Sequence, residues 1–475
     1  MARIKLLVEN MLVYGLSGVI GNIIPFIMLP IITKIMPDAS YMGIYDVSAS
    51  ITSLLTTFSI FGMYDAMFRL FFEKEDMEYK KSVCSTALVS VCIISLCISL
   101  IVFLFSDQLS YIFMGDTRFK TVLWIVSIGI IIGAINTIVG APTRMENKRF
   151  LMLAVNIMAP ILSYAVAYWI LKLGYFEYGM QVGNVLSVFS MLFIFLLINK
   201  KWFTIQKFDF GILKQLSQIA IPIVPIFLIY WIFSAADRLI ISAVLGTTAL
   251  GVYAVGAKVA QISQLMYTAF AGGWQYFAFS TMKDRDQVEM LTLIFEILEG
   301  AVFVFSILVL SIIKWPYQLL FEEMYWKGIE IVPFLFVSPF LLMLFQIAAN
   351  QFLVIKKTYY STICLIIGVT CNVILNFILI KPLGEIGVSI ASLVGYTVSL
   401  IVALIILNKF KLFKIKPRMI RVAVIELLYL GIWGFISENF FNSVWVSFLF
   451  MATIIINYWN ELKKLIYNKV KVLEE

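Results

Sequence analysis

The stretch from Ile221 to Val259 reads IPIVPIFLIYWIFSAADRLIISAVLGTTALGVYAVGAKV, and it determines how the rest of the chain is interpreted. It is mostly apolar, with two prolines three positions apart near its start. It also contains an adjacent acid–base pair, Asp237–Arg238, and a later lone lysine, Lys258. A charge inside hydrocarbon costs at least about 2–3 kcal/mol unless it is paired or hydrated. We therefore expect this segment to do more than anchor the chain.

The composition places the whole chain in a membrane. Hydrophobic residues make up 62% of it, charged residues 13%, and the mean hydropathy is +0.97. So little charge does not cover a soluble protein of 475 residues. The apolar runs are continuous, which favours helices over the alternating strands of a transmembrane barrel. The sequence predicts an all-α polytopic membrane protein.

Apolar runs long enough to cross about 30 Å of hydrocarbon recur from end to end. We predict about fourteen spans, numbered in chain order. Their bounds are 9–34, 43–65, 83–106, 121–141, 151–172, 178–199, 216–241, 248–277, 288–313, 329–352, 359–380, 385–407, 419–437 and 440–460. Lysine and arginine concentrate in the even-numbered connections, which predicts an even number of spans and two cytoplasmic termini. The net charge of +8 is thus a topology signal, and we expect no nucleic-acid partner.

An internal repeat divides the spans into two sets of six. The segment at 42–47, MGIYDV, resembles LGVYAV at 250–255, which places Gly251 208 positions after Gly43. The same offset pairs Lys148–Arg149 with Lys356–Lys357, Gly179 with Gly387, and Lys201 with Lys409. Since six is even, the repeats share one orientation and are related by an axis along the membrane normal. We predict lobes at 1–200 and 216–408, a cytoplasmic linker at 201–215, and two additional helices with a basic tail at 409–475.

Polar stripes run along spans 1, 2, 7 and 8, the first two of each repeat. Span 2 carries Asp46, Ser50, Ser53 and Thr57; span 7 carries Tyr230, Ser234 and Asp237–Arg238; span 8 carries Lys258, Gln261 and Gln264; span 1 carries Tyr14, Gly18 and Asn22. Such side chains face protein or water, because lipid cannot satisfy them. They either line a cavity between the repeats or bond one helix to another.

Six charged residues in the spans need an interpretation. Lys258 is about ten residues into span 8, a depth that favours a functional role. Asp46 is either its partner or a cation site, and Asp237–Arg238 forms either part of a cavity or a local ion pair at the outer end of span 7. We expect Glu296 and Glu299 to extend toward the cytoplasmic interface. The chain has no histidine, and its five cysteines lie in apolar runs, so we predict no metal site and no catalytic residues.

Taken together, these motifs resemble the Wzx-type polysaccharide-unit flippases of the multidrug/oligosaccharidyl-lipid/polysaccharide exporter superfamily. The resemblance rests on the Pro222-x-x-Pro225 start of span 7, Asp237–Arg238, and Leu250-Gly251-Val252-Tyr253 entering span 8. In the first half it rests on Leu29–Lys34 and Met42–Tyr45. The related peptidoglycan-precursor flippases have several basic cavity residues, whereas span 1 here lacks a central arginine, which argues against that substrate.

The resemblance implies a bacterial inner-membrane protein, with an undecaprenyl-pyrophosphate-linked oligosaccharide as its cargo and a lateral opening for the lipid tail. Its expected partners are membrane lipids and the polymerase and glycosyltransferases that make O-antigen, capsule or exopolysaccharide. No cofactor is expected, and an H⁺ or Na⁺ gradient or the membrane potential drives the cycle. The expected cavity residues are Lys258, Arg238, Lys34, Tyr14, Asn22, Gln261, Tyr253, Asn350 and Asn376, with Asp46 and Asp237 as ion-coupling candidates.

Two rival functions remain. A drug or cation antiporter of the same superfamily predicts several carboxylates in the first lobe, where only Asp46 fits well. A membrane polysaccharide polymerase or lipid-linked glycosyltransferase predicts a large external loop, and the longest outer connection, about 314–328, is short. We therefore expect a transporter and not an enzyme.

Overall fold

The computed structural model describes residues 21, 23–268, 270, 274 and 286–474, and these residues contain helices and no strands. The helices that precede residue 200 are α1 (Ile23–Thr33), α2 (Ala39–Ile60), α3 (Met63–Phe71), α4 (Met77–Leu104), α5 (Ser106–Met114), α6 (Lys120–Met145), α7 (Arg149–Lys172) and α8 (Gly179–Asn199). Those that follow are α9 (Phe210–Ala220), α10 (Val224–Trp231), α11 (Asp237–Leu245), α12 (Thr247–Ala260), α13 (Gln287–Ile312), α14 (Lys314–Leu320), α15 (Val332–Val354), α16 (Tyr359–Lys409), α17 (Pro417–Ile436) and α18 (Phe440–Glu474).

The predicted all-α polytopic membrane fold is confirmed. In the described part of the chain, nine helices are long and apolar enough to cross a membrane, and α2 with α3, bent by 43°, makes a tenth. Helix α16 is 51 residues long and breaks at Gly384, where φ is 58°, so it supplies predicted spans 11 and 12. Span 7 is assembled from α9, α10 and α11, and spans 1 and 8 lie partly outside the described residues.

Aspartates fix where several helices begin. Asp38 precedes α2 and accepts a hydrogen bond from the backbone nitrogen of Ser40 at 2.7 Å. Asp209 does the same for α9, accepting from the nitrogen of Ile212 at 2.9 Å. These carboxylates satisfy backbone donors that have no partner inside the helix. The local sequence therefore sets the register at which each span starts.

Span 7 is irregular, as its prolines predict. Helix α9 ends at Ala220, and Ile221–Ile223 form a 3₁₀ turn that contains the first proline. Helix α10 follows, and Ile232–Ala236 then form a π-helix before α11 begins. Proline removes a backbone donor and clashes with the preceding turn, and π-turns insert a residue that rotates the side chains after it. Span 7 is a chain of short segments, and the position of Asp237–Arg238 depends on each of them.

Two glycines paired by the predicted repeat each pack against a leucine. Gly179 begins α8 and faces the side chain of Leu171, and Gly387 in α16 faces Leu379. Gly387 and Leu379 each follow their counterparts, Gly179 and Leu171, by 208 positions. The described chain also forms two compact units, Met1–Val255 and Gly256–Glu475. These units describe packing, whereas the predicted lobe boundaries describe homology between the repeats and stay a prediction.

The linker predicted at 201–215 is not a free tether. The hydroxyl of Ser82 donates to the carbonyl of Lys207 at 2.6 Å, and the hydroxyl of Ser85 accepts from the nitrogen of Thr204 at 2.9 Å. Both serines belong to the first turns of α4. The linker is therefore fastened along the end of α4 before α9 begins.

The expectation that Glu296 and Glu299 extend to the interface is wrong. Both lie on α13 and are buried, at 0% and 5% exposure. Glu296 accepts hydrogen bonds from Arg418, and the hydroxyl of Tyr458 donates to Glu299 at 2.9 Å. The additional C-terminal helices supply both partners, so these two carboxylates are surrounded by protein and not by water.

Candidate functional site

Helices α2 and α12 cross at a pair of glycines, one from each predicted repeat. A Cβ atom built on Gly43 would lie 3.0 Å from the backbone nitrogen of Gly251 and closer still to the carbonyl of Thr247. A Cβ built on Gly251 would lie 3.1 Å from the nitrogen of Gly43 and closer still to the carbonyl of Ala39. Thr247 and Gly251 follow Ala39 and Gly43 by the same 208 positions. The contact is thus self-complementary, as a two-fold relation between repeats requires.

A buried ion pair lies one helical turn from this crossing. Asp46 follows Gly43 by three positions and shares its side of α2. Its Oδ2 atom lies 2.7 Å from Nε of Arg238 on α11, and the two side chains are 6% and 12% exposed. Each charge has lost most of its water, so each depends on the other for compensation. The pair joins a residue of the first repeat to one of the second.

A second carboxylate completes the cluster. Asp237 is 5% exposed, and Tyr253 of α12, which is 2% exposed, donates its hydroxyl to Oδ2 of Asp237 at 3.2 Å. Two carboxylates, one guanidinium and one phenol therefore lie around the crossing. The cation beside Asp46 is Arg238, where the sequence analysis had considered Lys258.

Local backbone geometry positions this cluster. The π-helix Ile232–Ala236 sets the rotation at which Asp237–Arg238 enter α11, and π-turns are frequent at functional sites. Helix α11 ends at Gly246, where φ is 89°, and α12 begins at the next residue. Residues with a Cβ atom rarely adopt that φ. Glycine therefore permits the one-residue turn that brings α12 back against α2.

Comparison with known proteins identifies the family. Residues 31–313 match a family described as "Polysaccharide biosynthesis protein". The chain belongs to this family. The matched range contains the whole crossing, from Ala39 to Tyr253, so the cluster lies in the part that defines membership.

The fold is that of known transporters. The chain is similar to the lipid II flippase MurJ in an inward closed conformation, with a TM-score of 0.72 and 16% identity over 96% of this chain and 100% of that one. It is also similar to a multidrug resistance MATE family transporter of the MOP superfamily, inward-facing, with a TM-score of 0.61 and 14% identity over 81% and 94%. A comparison with curated proteins gives no significant match. At these identities the likeness shows a shared fold, in agreement with the fold that the predicted resemblance implies.

The other predicted cavity residues differ in how exposed they are. Lys34 and Gln261 are exposed, Lys258 and Asn350 are half-buried, and Tyr14 and Asn22 lie outside the described residues. Their roles in binding stay a prediction, as do those of Arg238 and Tyr253.

Some predicted polar residues bond within the protein instead. Asn376, with 0% exposure, donates to the Oδ1 atom of Asn372 at 3.4 Å, and Asn372 donates to Ser392 at 3.2 Å. The hydroxyls of Ser50 and Thr57 donate to carbonyls of their own helix. The bond from Asn372 to Ser392 joins predicted spans 11 and 12 and agrees with the alternative that polar side chains bond one helix to another, whereas the bonds of Ser50 and Thr57 stay within α2.

Sequence patterns did not reveal the pairing of Asp46 with Arg238. The two residues are not related by the repeat, since the position 208 before Arg238 is Pro30. The available signal was the glycine pair, because Gly43 and Gly251 are repeat-related and each has a charged or phenolic residue within three positions. A self-complementary glycine contact would have placed α12 against α2, with α11 one turn before it in the chain.

Proposed function

We propose that this protein is a flippase that moves an undecaprenyl-pyrophosphate-linked oligosaccharide across the bacterial cytoplasmic membrane, for assembly of a surface polysaccharide such as O-antigen, capsule or exopolysaccharide. The observation that carries the proposal is the match of 31–313 to a polysaccharide biosynthesis family. It occurs on a chain whose fold resembles that of a lipid II flippase over nearly its full length. Both termini are proposed to be cytoplasmic, on the charge asymmetry of the loops.

The physical task fits a transporter without bond chemistry. A polyprenyl tail stays in lipid while the sugars and diphosphate cross, so the protein supplies a polar route and cations for the phosphates. Lys258 is the proposed cation of the second repeat. The connections between the spans are short, and we propose that the protein is not an enzyme.

The ion pair and the glycine crossing have a proposed role in alternating access. Close backbone contact between α2 and α12 lets the repeats pivot without side chains in the way. Asp46 and Arg238 stabilise one side of that motion while they are paired. Asp46 and Asp237 remain the proposed coupling residues, and a coupled cation would reach Asp46 when Arg238 moves away. Replacing either aspartate with asparagine and finding export unchanged after the ion gradient is dissipated would remove this role.

A drug or cation antiporter is the second candidate, favoured by the fold shared with a multidrug transporter. It requires a carboxylate that is available to a cation, and Asp46 is paired with Arg238 in this conformation. We therefore favour the lipid-linked cargo.

Deletion of the gene tests the flippase function. We expect surface polymer to disappear and complete lipid-linked repeat units to accumulate on the cytoplasmic side, with recovery on expression of the wild-type chain. Drug tolerance is measured in the same strains as the control for antiport. Normal surface polymer in a strain without a paralogue would refute the proposal, and a change in drug tolerance alone would favour the antiporter.

A further inference from the structure

We infer that the first repeat contains a binding pocket for a glycosyl phosphate, formed within one set of six helices. This inference deepens the proposed function and rests on it, because it gives the head group of the cargo a binding site. The cavity has a volume of about 390 Å³ and is bounded by α3, α6, α7 and α8. Its polar lining consists of Tyr64, Asn136, Thr137, Arg144 and Asn156. Small-molecule sites of about 300–1,000 Å³ have this make-up, apolar with a few polar groups.

The charge of the lining selects an anion. Arg144 is the one charged residue among the described residues that line the cavity. Its Nη1 atom donates to the hydroxyl of Tyr64 at 3.3 Å, and it has no carboxylate partner within the described chain. A guanidinium carries five donors in a planar fork that matches phosphate oxygens. Arg144 therefore keeps donors for a ligand, in contrast to Arg238, which is paired with Asp46.

Glu146, the acidic residue nearest to Arg144 in the sequence, pairs with two lysines. Glu146 follows Arg144 by two positions, and it forms ion pairs with Lys148 at 2.5 Å and with Lys201. The indole nitrogen of Trp202 also donates to it at 3.2 Å. Partial burial raises the pKa of Glu146, and the two lysines lower it by more, so its pKa lies below the ordinary value. Glu146 stays ionised and neutralises the two lysines, which leaves Arg144 as the cation of the pocket.

The uncharged polar groups select hydroxyls. The Oδ1 atom of Asn136 is buried and has no hydrogen-bond partner. The hydroxyl of Thr137 donates to the carbonyl of Gly133 at 2.9 Å, so it presents lone pairs to the cavity. A buried acceptor without a donor costs about 1–3 kcal/mol, and a ligand hydroxyl removes that cost. A ligand that brings an anion and hydroxyl donors satisfies both ends of the pocket, and a sugar joined to phosphate is such a ligand.

The apolar part of the lining fits the rest of a sugar. Met152, Val155, Met191 and Phe195 surround the polar groups. Gly140 lets the ring of Phe195 pack close to α6, because a Cβ there would lie 3.1 Å from that ring. Aliphatic and aromatic walls contact the C–H faces of a pyranose ring, while amides and hydroxyls bind its edge. Arg144 falls in the connection after predicted span 4, which ends at residue 141, whereas α6 continues to Met145.

Binding by the purified full-length protein in lipid nanodiscs tests the pocket. The probes are farnesyl diphosphate, its glucosylated derivative farnesyl diphosphoryl glucose, farnesol and inorganic pyrophosphate. We expect Arg144→Gln to weaken both prenyl diphosphates about tenfold or more and to leave farnesol unchanged. Asn136→Leu should remove the advantage of the glucosylated probe over the plain one. The matched control is Arg69→Gln, which removes the same charge from an exposed position on α3 that does not line the cavity.

The outcomes separate this inference from the proposed function. Equal binding by Arg144→Gln and the wild type, or equal loss in Arg69→Gln, overturns the pocket while the deletion phenotype still supports a flippase. Arg144→Lys keeps a point charge without the fork and should bind at an intermediate affinity, which excludes misfolding as the cause. Tight binding of pyrophosphate without preference for the prenyl probes would assign the site to a soluble phosphate and overturn the lipid-linked ligand. If the deletion strain makes normal polymer, the flippase function fails, whatever the pocket binds.

Discussion

Two buried carboxylates, Asp46 and Glu296, differ in the number of cations that contact them within the described chain. Asp46 meets Arg238 through one contact of 2.7 Å at the glycine crossing. Glu296, which is fully buried, accepts from Nε and Nη2 of Arg418 at 2.5 and 2.8 Å, and from Lys416 at 2.8 Å. Two hydrogen bonds from one guanidinium and a third from a lysine fix the position of a carboxylate. A carboxylate with one cation contact loses its compensation when that contact breaks. We infer that the first pair is built to separate and the second to stay closed.

The surroundings of the second pair agree with a permanent contact. Tyr458 of α18 packs on Gly300 of α13, where a Cβ would lie 2.7 Å from its ring. The indole of Trp433 on α17 donates to the carbonyl of Leu310 at 2.9 Å, and Ser443 donates to that of Ser311 at 2.8 Å. The additional helices are thus bonded along the length of α13. Around the first pair, the backbone contains a π-helix and a turn at Gly246 instead.

The largest predicted effect is from Glu296→Ala. It removes the shared partner of two cations in a buried site, which typically costs about 3–5 kcal/mol of unfolding free energy. We expect a large fall in the thermal unfolding midpoint of the purified protein. Glu289→Ala is the matched control, because Glu289 lies on the same helix, is exposed, and pairs with Lys414 at 2.8 Å. An exposed pair contributes about 0–1 kcal/mol. Equal stability of the two variants would contradict the fixed character of this contact.

The sequence predicted the fold better than it predicted these two pairs. Spans follow from the length of apolar runs, and the repeat follows from a constant offset, because both are local patterns. Glu296 was misplaced because its partners lie about 120 positions away on the additional helices, where no periodicity connects them. Arg144 was assigned to a loop because apolar runs end before helices do. Charges at helix ends acquire their roles from distant elements, which only packing reveals.

Gly251→Ala is expected to have the next largest effect. Its Cβ would collide with the carbonyl of Ala39, and a backbone atom cannot turn aside as a side chain does. Overpacking of this kind costs about 1–3 kcal/mol, and we expect export to fall further than stability because α2 and α12 are held apart. Gly43→Ala should behave alike, since the contact is self-complementary. The control is Gly431→Ala on α17, whose Cβ meets nothing within 4 Å. Normal export by both crossing variants would show that the repeats do not pivot there.

Neutralising both Asp46 and Arg238 is predicted to lower export more than it lowers the stability of the protein. Asp46→Asn removes the carboxylate that pairs with the buried Arg238, and we expect a loss of about 1–3 kcal/mol. Adding Arg238→Gln makes both members of the pair neutral while Asp237 keeps its hydrogen bond from Tyr253, and it should restore part of that stability, because neutral replacements of buried pairs are often tolerated. Export should stay low in the double variant if the pair acts in the cycle. Full recovery of export together with stability would make the pair structural, and thus equivalent to Glu296 with Arg418.

The smallest predicted effect compares two buried phenols. Tyr253→Phe and Tyr458→Phe each remove one hydroxyl from a buried carboxylate, Asp237 at 3.2 Å and Glu299 at 2.9 Å. The shapes are otherwise preserved, so we expect each variant to lose about 1–2 kcal/mol of unfolding free energy. Export, measured per folded protein, should fall only in Tyr253→Phe, since Asp237 adjoins the residue that pairs across the crossing. An equal fall of export in the two variants would mean that export follows stability alone. The difference between the two regions would then have no role in transport.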